Sequence, residues 1–502
     1  MNTRADSAVG AATVAIVGCG FSGTMVAVHL ARLGPDSPRV LLFERDERLA
    51  RGVAYGTSSP AHLLNVPARL MSALPDEPDH FLNWLRDRDP AVQPGAFVSR
   101  RVYGDYLADL LRDAARRPGS KLVAIRAEIV DVIDEASGSF SLVTRQGTRF
   151  QADAVVVAVG NPGPQDPIPV PDRARATRSY IGNPWVDDPF LGLKADDPIL
   201  LIGSGLTAID LLVEAESRKT AGTITAISRH GLLPQPHAPA AAIPIPPLRT
   251  AARPTMRDML RNVRLAVKQT EREGGDWRSV IDALRPELQP LWKSLDDREK
   301  GRFLRHVAAF WDIHRHRVAP QIHEIVQRAR REGRFSVVAG RIRVVLDDGP
   351  DGVKIVMNRR GSSTCETLRA RRVINCTGPS RGLHSGFPSL LTALCNRGLA
   401  RPDPIGLGFL AGEKGCLIGL KVPNGQRIFT LGPVLKGQLW ESTAVRELRQ
   451  QAADLARHVA LAVSPQPGKT LPQPRWEPLA GCDRASAKDF HEIRAVFTRG
   501  VA

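Results

Sequence analysis

Two short glycine-rich segments have the spacing that binding of a dinucleotide requires. The first, Gly18-Cys19-Gly20-Phe21-Ser22-Gly23, follows the β-branched and apolar run Thr13–Val17. In this spacing one glycine makes a tight turn, the next lets the backbone approach a pyrophosphate, and the third lets the helix pack on the strand. Apolar residues at helical spacing over Thr24–Leu33 and a second strand at Val40–Phe43 complete a β-α-β unit. In this context the glycines predict a dinucleotide site, and a tight turn without a ligand is the alternative.

An acidic residue stands at the strand end where such a unit uses one. Glu44 follows Val40–Phe43, and its carboxylate can accept hydrogen bonds from the hydroxyl groups of an adenosine ribose. A solvated charge is the alternative for Glu44. Further along the chain, the apolar run Ala154–Val159 predicts a buried parallel strand that ends at Gly160. We predict that the first loop binds FAD together with Glu44, its neighbour Arg45, and Gly160.

The same pattern restarts at Gly203-Ser204-Gly205-Leu206-Thr207-Ala208, where alanine takes the third position, as the pattern permits. After the next predicted strand, Thr223–Ile227, the chain has Ser228 and Arg229 in place of an acid. A guanidinium there suits a 2′-phosphate, which favours NADPH over NADH; an exposed strand-end charge is the alternative. Two such loops in one chain predict tightly held FAD and a transient NAD(P)H co-substrate that reduces it.

The order of the remaining elements indicates that one β-α-β domain is inserted into another. Further strands are predicted at Phe335–Ala339, Arg343–Leu346, Lys354–Met357, Arg372–Asn375 and Arg427–Leu431. A helix follows from about Glu441 to His458, and Thr255–Arg331 has helical periodicity. We predict an α/β fold class, with two nested Rossmann-like dinucleotide-binding domains in three ββα layers and a helical insertion. The predicted ranges are residues 10–167 and 384–460 for the FAD domain, 168–235 and 335–383 for the NAD(P)H domain, 236–334 for the insertion and 461–502 for a C-terminal tail.

Length and composition narrow the class of protein. At 502 residues the chain exceeds one ordinary hydrophobic core, so two or three domains are expected. No run of about 18 apolar residues exists, so no membrane span is predicted. The six cysteines form no C-x-x-C pair and no metal-binding spacing, which predicts a cytoplasmic location and argues against a bound metal and against a thiol-disulfide reductase. The net charge of +17 is spread along the chain, so no nucleic-acid partner is predicted.

Five further segments carry a resemblance to a known family. They are Arg51–Gly56, His62–Pro67, Ser228–Pro234, Phe310–Arg317 and Leu431–Ser442. Together with the two loops, they resemble the bacterial FAD/NAD(P)-binding protein family over most of the chain. Among its characterised kinds are a FAD-dependent urate hydroxylase and monooxygenases that oxidise the amine of aspartate. The resemblance implies that the loop around His62 and Asn65 borders the flavin. It also implies that Gly432 and a helix beginning near Glu441 approach the far side of the flavin.

The helical insertion contains the cluster His314-Arg315-His316-Arg317. On a helix, His314 and Arg317 share a face, so these two residues are the weak catalytic candidates. They could bind an anionic substrate, donate a proton, or only cover the flavin domain. The sequence lacks the F-x-G-x-x-x-H-x-x-x-W string of Baeyer–Villiger and related flavin monooxygenases, so no catalytic residue is carried over from those enzymes.

We expect a monooxygenase that uses FAD, NAD(P)H and O2 to hydroxylate a small polar or anionic molecule. Urate, giving 5-hydroxyisourate, is the first expected substrate, because it is the small anionic heterocycle of the resembled family and arginine is abundant in the insertion. An amino-acid N-hydroxylase would share both loops, and an NAD(P)H:acceptor reductase would pass electrons on without inserting oxygen. A non-catalytic redox-sensing or nucleic-acid-binding protein is supported only by the charge. The expected partners are therefore a small-molecule substrate and O2, with no nucleic acid and no membrane.

Overall fold

The computed structural model describes residues 11–186, 188–219, 222–244, 254–380, 389–421 and 427–464. The strands of these residues are β1 (Thr13–Val17), β2 (Arg39–Glu44), β3 (Leu122–Arg126), β4 (Ile129–Asp134), β5 (Phe140–Thr144), β6 (Arg149–Ala152), β7 (Ala154–Val157), β8 (Tyr180–Ile181), β9 (Ile199–Ile202), β10 (Ile224–Ser228), β11 (Phe335–Asp347), β12 (Val353–Arg359), β13 (Cys365–Ala370), β14 (Arg372–Asn375) and β15 (Ile428–Thr430). The α-helices in the described ranges are α1 (Phe21–Ala31), α2 (Gly52–Tyr55), α3 (His80–Arg86), α4 (Arg100–Arg116), α5 (Asp172–Ala176), α6 (Leu206–Arg218), α7 (Met256–Arg272), α8 (Trp277–Ala283), α9 (Leu288–Ser294), α10 (Asp297–Arg302), α11 (Ala308–Arg315), α12 (Pro320–Arg331), α13 (Ser389–Asn396) and α14 (Val445–Val463).

The first sheet is parallel and buried on both faces. Its five strands lie in the order β15-β7-β1-β2-β3, with β1 paired in parallel to β2 and β7. Every residue of β1 is buried, as its continuous apolar run predicts. Successive side chains of a strand point to opposite faces, so Val14 and Ile16 pack against helices, whereas Ala15 and Val17 pack against a second sheet.

Two different layers cover the first sheet. Helices α1, α4 and α14 pack on one face, where Met25, Tyr103 and Val459 are fully buried. The antiparallel sheet β4-β5-β6 packs on the other face through Phe140 and Leu142. Within this sheet, β5 and β6 form an antiparallel hairpin. These are the three ββα layers expected from the sequence, and the α/β fold class is confirmed.

Strand β15 shows that the chain returns to the first sheet after forming a second one. It pairs in parallel with β7, which places Thr430 beside Val157. The second sheet has seven strands in the order β13-β12-β11-β10-β9-β14-β8. Its strands β8, β9, β10 and β14 and the start of β11 are parallel, whereas β12 and β13 are antiparallel. The segment that forms the second sheet is therefore inserted in the chain between β7 and β15 of the first sheet. The exact residue limits of the domains stay predictions.

Strand β11 is one strand where the sequence predicts two. Its first five residues, Phe335–Ala339, pair in parallel with β10, and the rest pairs antiparallel with β12. Gly340 marks the change, because a Cβ there would collide with Cε of Met357 and lie 2.6 Å from the carbonyl oxygen of Asn358. Gly340 has no side chain and so allows β12 to approach closely, and the strand continues through it.

The predicted start of the last helix is wrong. Helix α14 begins at Val445 and ends at Val463, rather than running from about Glu441 to His458. Glu441 is 3% exposed and forms an ion pair with Arg315 of α11. This contact holds the segment before α14 against the insertion, and local helical spacing gives no sign of it. The predicted strand Arg427–Leu431 is also shorter, because only the three residues of β15 join the sheet.

The insertion is helical, as predicted, and its described residues form α7 to α12. Trp292 and Phe303 of the insertion pack against Trp440, which lies between β15 and α14. The indole nitrogen of Trp292 donates a 2.8 Å hydrogen bond to the carbonyl oxygen of Gly437. The insertion is thereby anchored to the first domain. Within the described ranges, none of the helices combines the length and the apolar character needed to cross a membrane.

Replacing Leu142 by Ala is expected to lower the free energy of unfolding by about 2–5 kcal/mol, because the side chain is fully buried between the two sheets of the first domain. Urea denaturation followed by circular dichroism measures the change. Leu346→Ala is the control, since Leu346 is 42% exposed and its loss is expected to change stability by less than about 0.5 kcal/mol. Equal effects of the two substitutions would contradict the layered core.

Candidate functional site

The first glycine loop is a tight turn at the carboxyl end of β1. Gly18 has φ +101°, and a Cβ there would lie 2.5 Å from the carbonyl oxygen of Ala158, next to the end of β7. A Cβ at Gly23 would collide with the carbonyl oxygen of Gly18, so the first turn of α1 packs directly on the loop. At Gly20 the nearest atom to such a Cβ is Cα of Gly52, 3.7 Å away. Gly20 therefore leaves room at the N-terminus of α1, where the helix dipole would stabilise the charge of a pyrophosphate.

Two glycines from other parts of the chain lie at the same edge of the sheet. Gly432, with φ +78°, packs on the first turn of α1, where a Cβ would lie 2.9 Å from Oγ of Ser22. Ser22 and its neighbour Phe21 are buried. Gly160, with φ +72°, follows β7, and no atom lies within 4 Å of a Cβ placed there. Because β1, β7 and β15 are adjacent and parallel, their carboxyl ends bring these predicted FAD contacts together.

Glu44 holds the first loop against the end of β2. Its Oε2 accepts the amide hydrogen of Cys19 at 2.9 Å, and its Oε1 accepts those of Arg45 and Asp46 at 2.8 and 3.1 Å. The residue is 9% exposed, so it is not a solvated charge. Oε2 keeps a lone pair that suits a ribose hydroxyl. The exposed guanidinium of Arg45 lies 3.8 Å from Asp46, so Arg45 takes part in this corner through its backbone.

The second loop repeats the geometry of the first at the end of β9. Gly203 has φ +112°, and a Cβ there would lie 2.5 Å from the carbonyl oxygen of Cys376, next to the end of β14. At Gly205, which precedes α6, no atom lies within 4 Å of such a Cβ. Ala208 is fully buried, which permits the close packing of α6 that the third position of the pattern requires. The second loop therefore also leaves room for a pyrophosphate at a helix N-terminus.

Ser228 connects the second loop to the end of β10. Its Oγ lies 2.8 Å from Oγ of Ser204 and accepts the amide hydrogen of Gly231 at 3.0 Å. Arg229, the next residue, is exposed. The predicted contacts for the nicotinamide cofactor thus come together at one sheet edge, and the coenzyme choice assigned to Arg229 stays a prediction.

A buried histidine joins the first domain to helix α6 of the second. His62 is 2% exposed, and its Nδ1 lies 2.7 Å from Oγ1 of Thr57. Its Nε2 lies 3.1 Å from the carbonyl oxygen of Asp210 and 3.2 Å from Oε2 of Glu214. Both partners of Nε2 are acceptors, so Nε2 carries a proton.

A bidentate ion pair strengthens the same contact between domains. Arg100, at the start of α4, donates through Nη1 and Nη2 to the carboxylate of Asp210 at 2.6 and 3.1 Å. Its Nε donates to the carbonyl oxygen of Leu63 at 3.0 Å. Close by, Nε2 of His237 bonds the carbonyl oxygen of Asn65 at 2.9 Å. The loop predicted to border the flavin is therefore fixed to helix α6 and to the start of the insertion.

The two weak catalytic candidates, His314 and Arg317, lie in the insertion. Arg317 forms an ion pair within the insertion. Its side chain is 4% exposed and forms a bidentate pair with Asp282 at 2.7 and 3.1 Å. Its Nε donates to the carbonyl oxygen of His314 at 2.9 Å, and Nδ1 of His314 lies 2.7 Å from the carbonyl oxygen of Phe310. The ring of His314 also packs edge-on against Trp277. These contacts favour the covering role over substrate binding, and a catalytic role stays a prediction.

The class of protein is supported by a family match. Residues 15–162 match a family described as FAD-NAD(P)-binding. The matched range contains the first loop, Glu44 and Gly160, and it ends before the second loop. The chain therefore contains a FAD-NAD(P)-binding domain, and FAD and NAD(P) are its cofactors, as predicted. No curated protein matches the sequence.

Solved structures share the fold over nearly the whole chain. The ornithine N-hydroxylase of Kutzneria sp. 744, with reduced FAD, NADP+ and L-ornithine, matches with a TM-score of 0.62 at 13% identity, covering 90% of this chain and 99% of the other. The L-lysine 6-monooxygenase of Pseudomonas syringae matches with a TM-score of 0.61 at 15% identity, covering 90% and 100%. The thioredoxin reductase of Lactococcus lactis matches with a TM-score of 0.51 at 12% identity, covering 90% and 99%. At these identities the comparison shows the fold alone, which a hydroxylase, a monooxygenase and a thioredoxin reductase have in common.

Replacing Gly23 by Ala is expected to remove most of the FAD that copurifies with the protein. The added Cβ would collide with the Gly18 carbonyl oxygen, which forces α1 away from the loop and lowers the free energy of unfolding by about 1–3 kcal/mol. The FAD content of the purified protein, measured after heat release, tests this. Gly95→Ala is the control, because no atom lies within 4 Å of a Cβ there. An unchanged FAD content in the Gly23 variant would contradict the packing role of this glycine.

The contact between domains is expected to weaken in acid through Glu214. Burial raises the pKa of Glu214, but the hydrogen bond from His62 and the charge of Arg218 outweigh it and lower this pKa below its usual value. A lowered carboxyl pKa gives stability that is present above the unfolded-state value of about 4.3 and is lost as the pH falls through the folded-state value. Glu214→Gln should therefore flatten the loss of unfolding free energy between pH 6 and pH 3, whereas exposed Glu324→Gln should not. Identical pH profiles of the parent and Glu214→Gln would contradict this role.

Proposed function

We propose that this protein is a FAD- and NAD(P)H-dependent monooxygenase that hydroxylates a small polar substrate. The observation that carries the proposal is the repeated loop geometry at Gly18 and Gly203, with open space at Gly20 and Gly205. It provides one pyrophosphate site in each of two nested sheets. Bound FAD, once reduced by NAD(P)H, supplies the activation of O2. The chain itself binds and orients both cofactors.

The arrangement of the cysteines argues that this protein is not a thiol-disulfide reductase, although a thioredoxin reductase has the same fold. A thiol-disulfide reductase needs two neighbouring thiols that pass electrons from the flavin. The chain has no C-x-x-C pair, and the described cysteines are free. Burial raises the pKa of Cys19 to about 12 and also raises the pKa of Cys376, so both thiols stay protonated and unreactive.

The contact between the domains supports electron transfer from one cofactor to the other. His62 and Arg100 of the first domain hold Asp210 and Glu214, which lie on the helix that follows the second loop. Hydrogen bonds and ion pairs buried at an interface define its geometry closely, since breaking either would leave a buried charge unpaired. The two cofactors can therefore be held at a fixed separation.

An amino-acid amine is now the substrate class that we place first. The ornithine and lysine hydroxylases have TM-scores of 0.62 and 0.61 to this chain, and both oxidise amines. No comparison supports a purine, so urate, the substrate expected from the sequence, becomes the second candidate. An NAD(P)H:acceptor reductase that inserts no oxygen is the remaining alternative for the same cofactor sites.

One assay separates these functions. The purified flavoprotein is supplied with NADPH or NADH, and O2 uptake and hydrogen peroxide are measured with ornithine, lysine, aspartate, urate or no addition. We expect one amine to stimulate O2 uptake several-fold without a matching rise in peroxide, because the oxygen is inserted into the substrate. The same result with urate alone would make urate the first candidate substrate and an amino-acid amine the second. Equal uptake and peroxide with every compound would contradict the monooxygenase and favour the reductase.

A further inference from the structure

Basic residues from two strands gather at the carboxyl end of β10. The last residue of β10, Ser228, pairs with Ala339 of β11. Arg229 and His230 follow Ser228, and Arg341 follows Ala339 by two residues, so all three lie near the same end of these two parallel strands. These residues therefore project from one edge of the second sheet.

Strand β12 adds another arginine to this edge. It runs antiparallel to β11, with Arg359 opposite Gly340, so its carboxyl end returns toward the end of β10. The amide of Arg360 donates a 2.8 Å hydrogen bond to the carbonyl oxygen of Ala339. We call Arg229, Arg341 and Arg360 the strand-end arginines.

The strand-end arginines carry charge that the described residues do not neutralise. All three are exposed, and none has a carboxylate within ion-pair distance in the described ranges. Burial lowers the pKa of His230, and the charges of Arg360, Arg229 and Arg341 lower it further. The neighbouring Arg359 differs, because it forms a bidentate pair with Glu366 at 2.5 and 2.9 Å. The edge thus presents unpaired guanidinium groups beside one that is already neutralised.

The position of these residues relative to the second loop indicates what they bind. Ser204, inside that loop, contacts Ser228 at 2.8 Å, so the arginines start within a few residues of the pyrophosphate space at Gly205. In this fold the end of the second strand faces the 2′ position of the adenosine ribose. Guanidinium groups bind phosphate oxygens in bidentate fashion, and unpaired ones do so without first breaking an ion pair.

We propose that Arg229, Arg341 and Arg360 together bind the 2′-phosphate of NADPH and so make this chain selective for NADPH over NADH. The inference rests on the proposed assignment of the second loop to the nicotinamide cofactor. It adds Arg341 and Arg360, contributed by the β11–β12 hairpin, to the single strand-end arginine expected from the sequence.

Binding of nucleotide fragments to the purified flavoprotein tests the proposal without turnover. Titration calorimetry is done with 2′,5′-ADP, with 5′-AMP and with inorganic phosphate. The parent is expected to bind 2′,5′-ADP more tightly than either of the other two. Arg341→Ala and Arg360→Ala should each weaken 2′,5′-ADP about tenfold, because each loses a charge-assisted hydrogen bond, and leave 5′-AMP unchanged. Arg359→Ala is the matched control and should change neither nucleotide.

Several results would overturn the proposal. These are equal affinity of the parent for 2′,5′-ADP and 5′-AMP, equal weakening of both nucleotides in the variants, or a loss in Arg359→Ala as large as in Arg341→Ala. Binding of a short DNA oligonucleotide that depends on these arginines, while 2′,5′-ADP binding does not, would assign the edge to nucleic acid instead. Because the readout is binding, a failure of the monooxygenase assay leaves this test intact.

Discussion

The close approach of a glycine to the carbonyl oxygen of a neighbouring strand end is the constraint on which both cofactor sites depend. Gly18 meets Ala158 in the first sheet and Gly203 meets Cys376 in the second, and in each case a Cβ would lie 2.5 Å from the oxygen. Only a residue without a side chain, in the left-handed region, can make this turn between a parallel strand and its helix. Each turn leaves room for a ligand beside a helix N-terminus, where backbone amides and the helix dipole would stabilise a pyrophosphate.

The buried polar contact between the domains fixes the two predicted cofactor loops relative to each other, as the proposed electron transfer requires. His62, in the loop predicted to border the flavin, contacts Asp210 and Glu214 of α6, the helix that follows the second loop. Arg100, at the start of α4, also pairs with Asp210. Any movement of α6 would therefore disturb the loop as well. The insertion is attached to the first domain through the hydrogen bond from Trp292 to Gly437.

Local patterns predicted the parts of the structure that local physics decides. The strands and glycine turns follow from apolar runs and from glycine spacing, which act over a few residues. The contacts of Gly432 with Ser22 and of His62 with Glu214 join residues far apart in the chain. Hydrophobic periodicity and motif spacing act over a few residues and therefore cannot predict these contacts. The sequence predicts two strands where β11 is one, because the pairing of β11 changes from β10 to β12 at Gly340 and this change depends on distant residues. The grouping of Arg341 and Arg360 likewise depends on the antiparallel pairing of β11 with β12, which the local patterns do not define.

Two matched substitutions test most directly whether the two loops bind different cofactors. A Cβ at Gly20 would make only ordinary contact, with Cα of Gly52, and a Cβ at Gly205 would have no atom within 4 Å, so Gly20→Val and Gly205→Val are expected to fold and to block only the ligand. The visible flavin spectrum is recorded for each purified protein and again after anaerobic addition of NADPH. The account predicts that Gly20→Val is colourless, whereas Gly205→Val is yellow and is no longer bleached by NADPH. A Gly205→Val protein that lacks flavin, or that is bleached as fast as the parent, would contradict it.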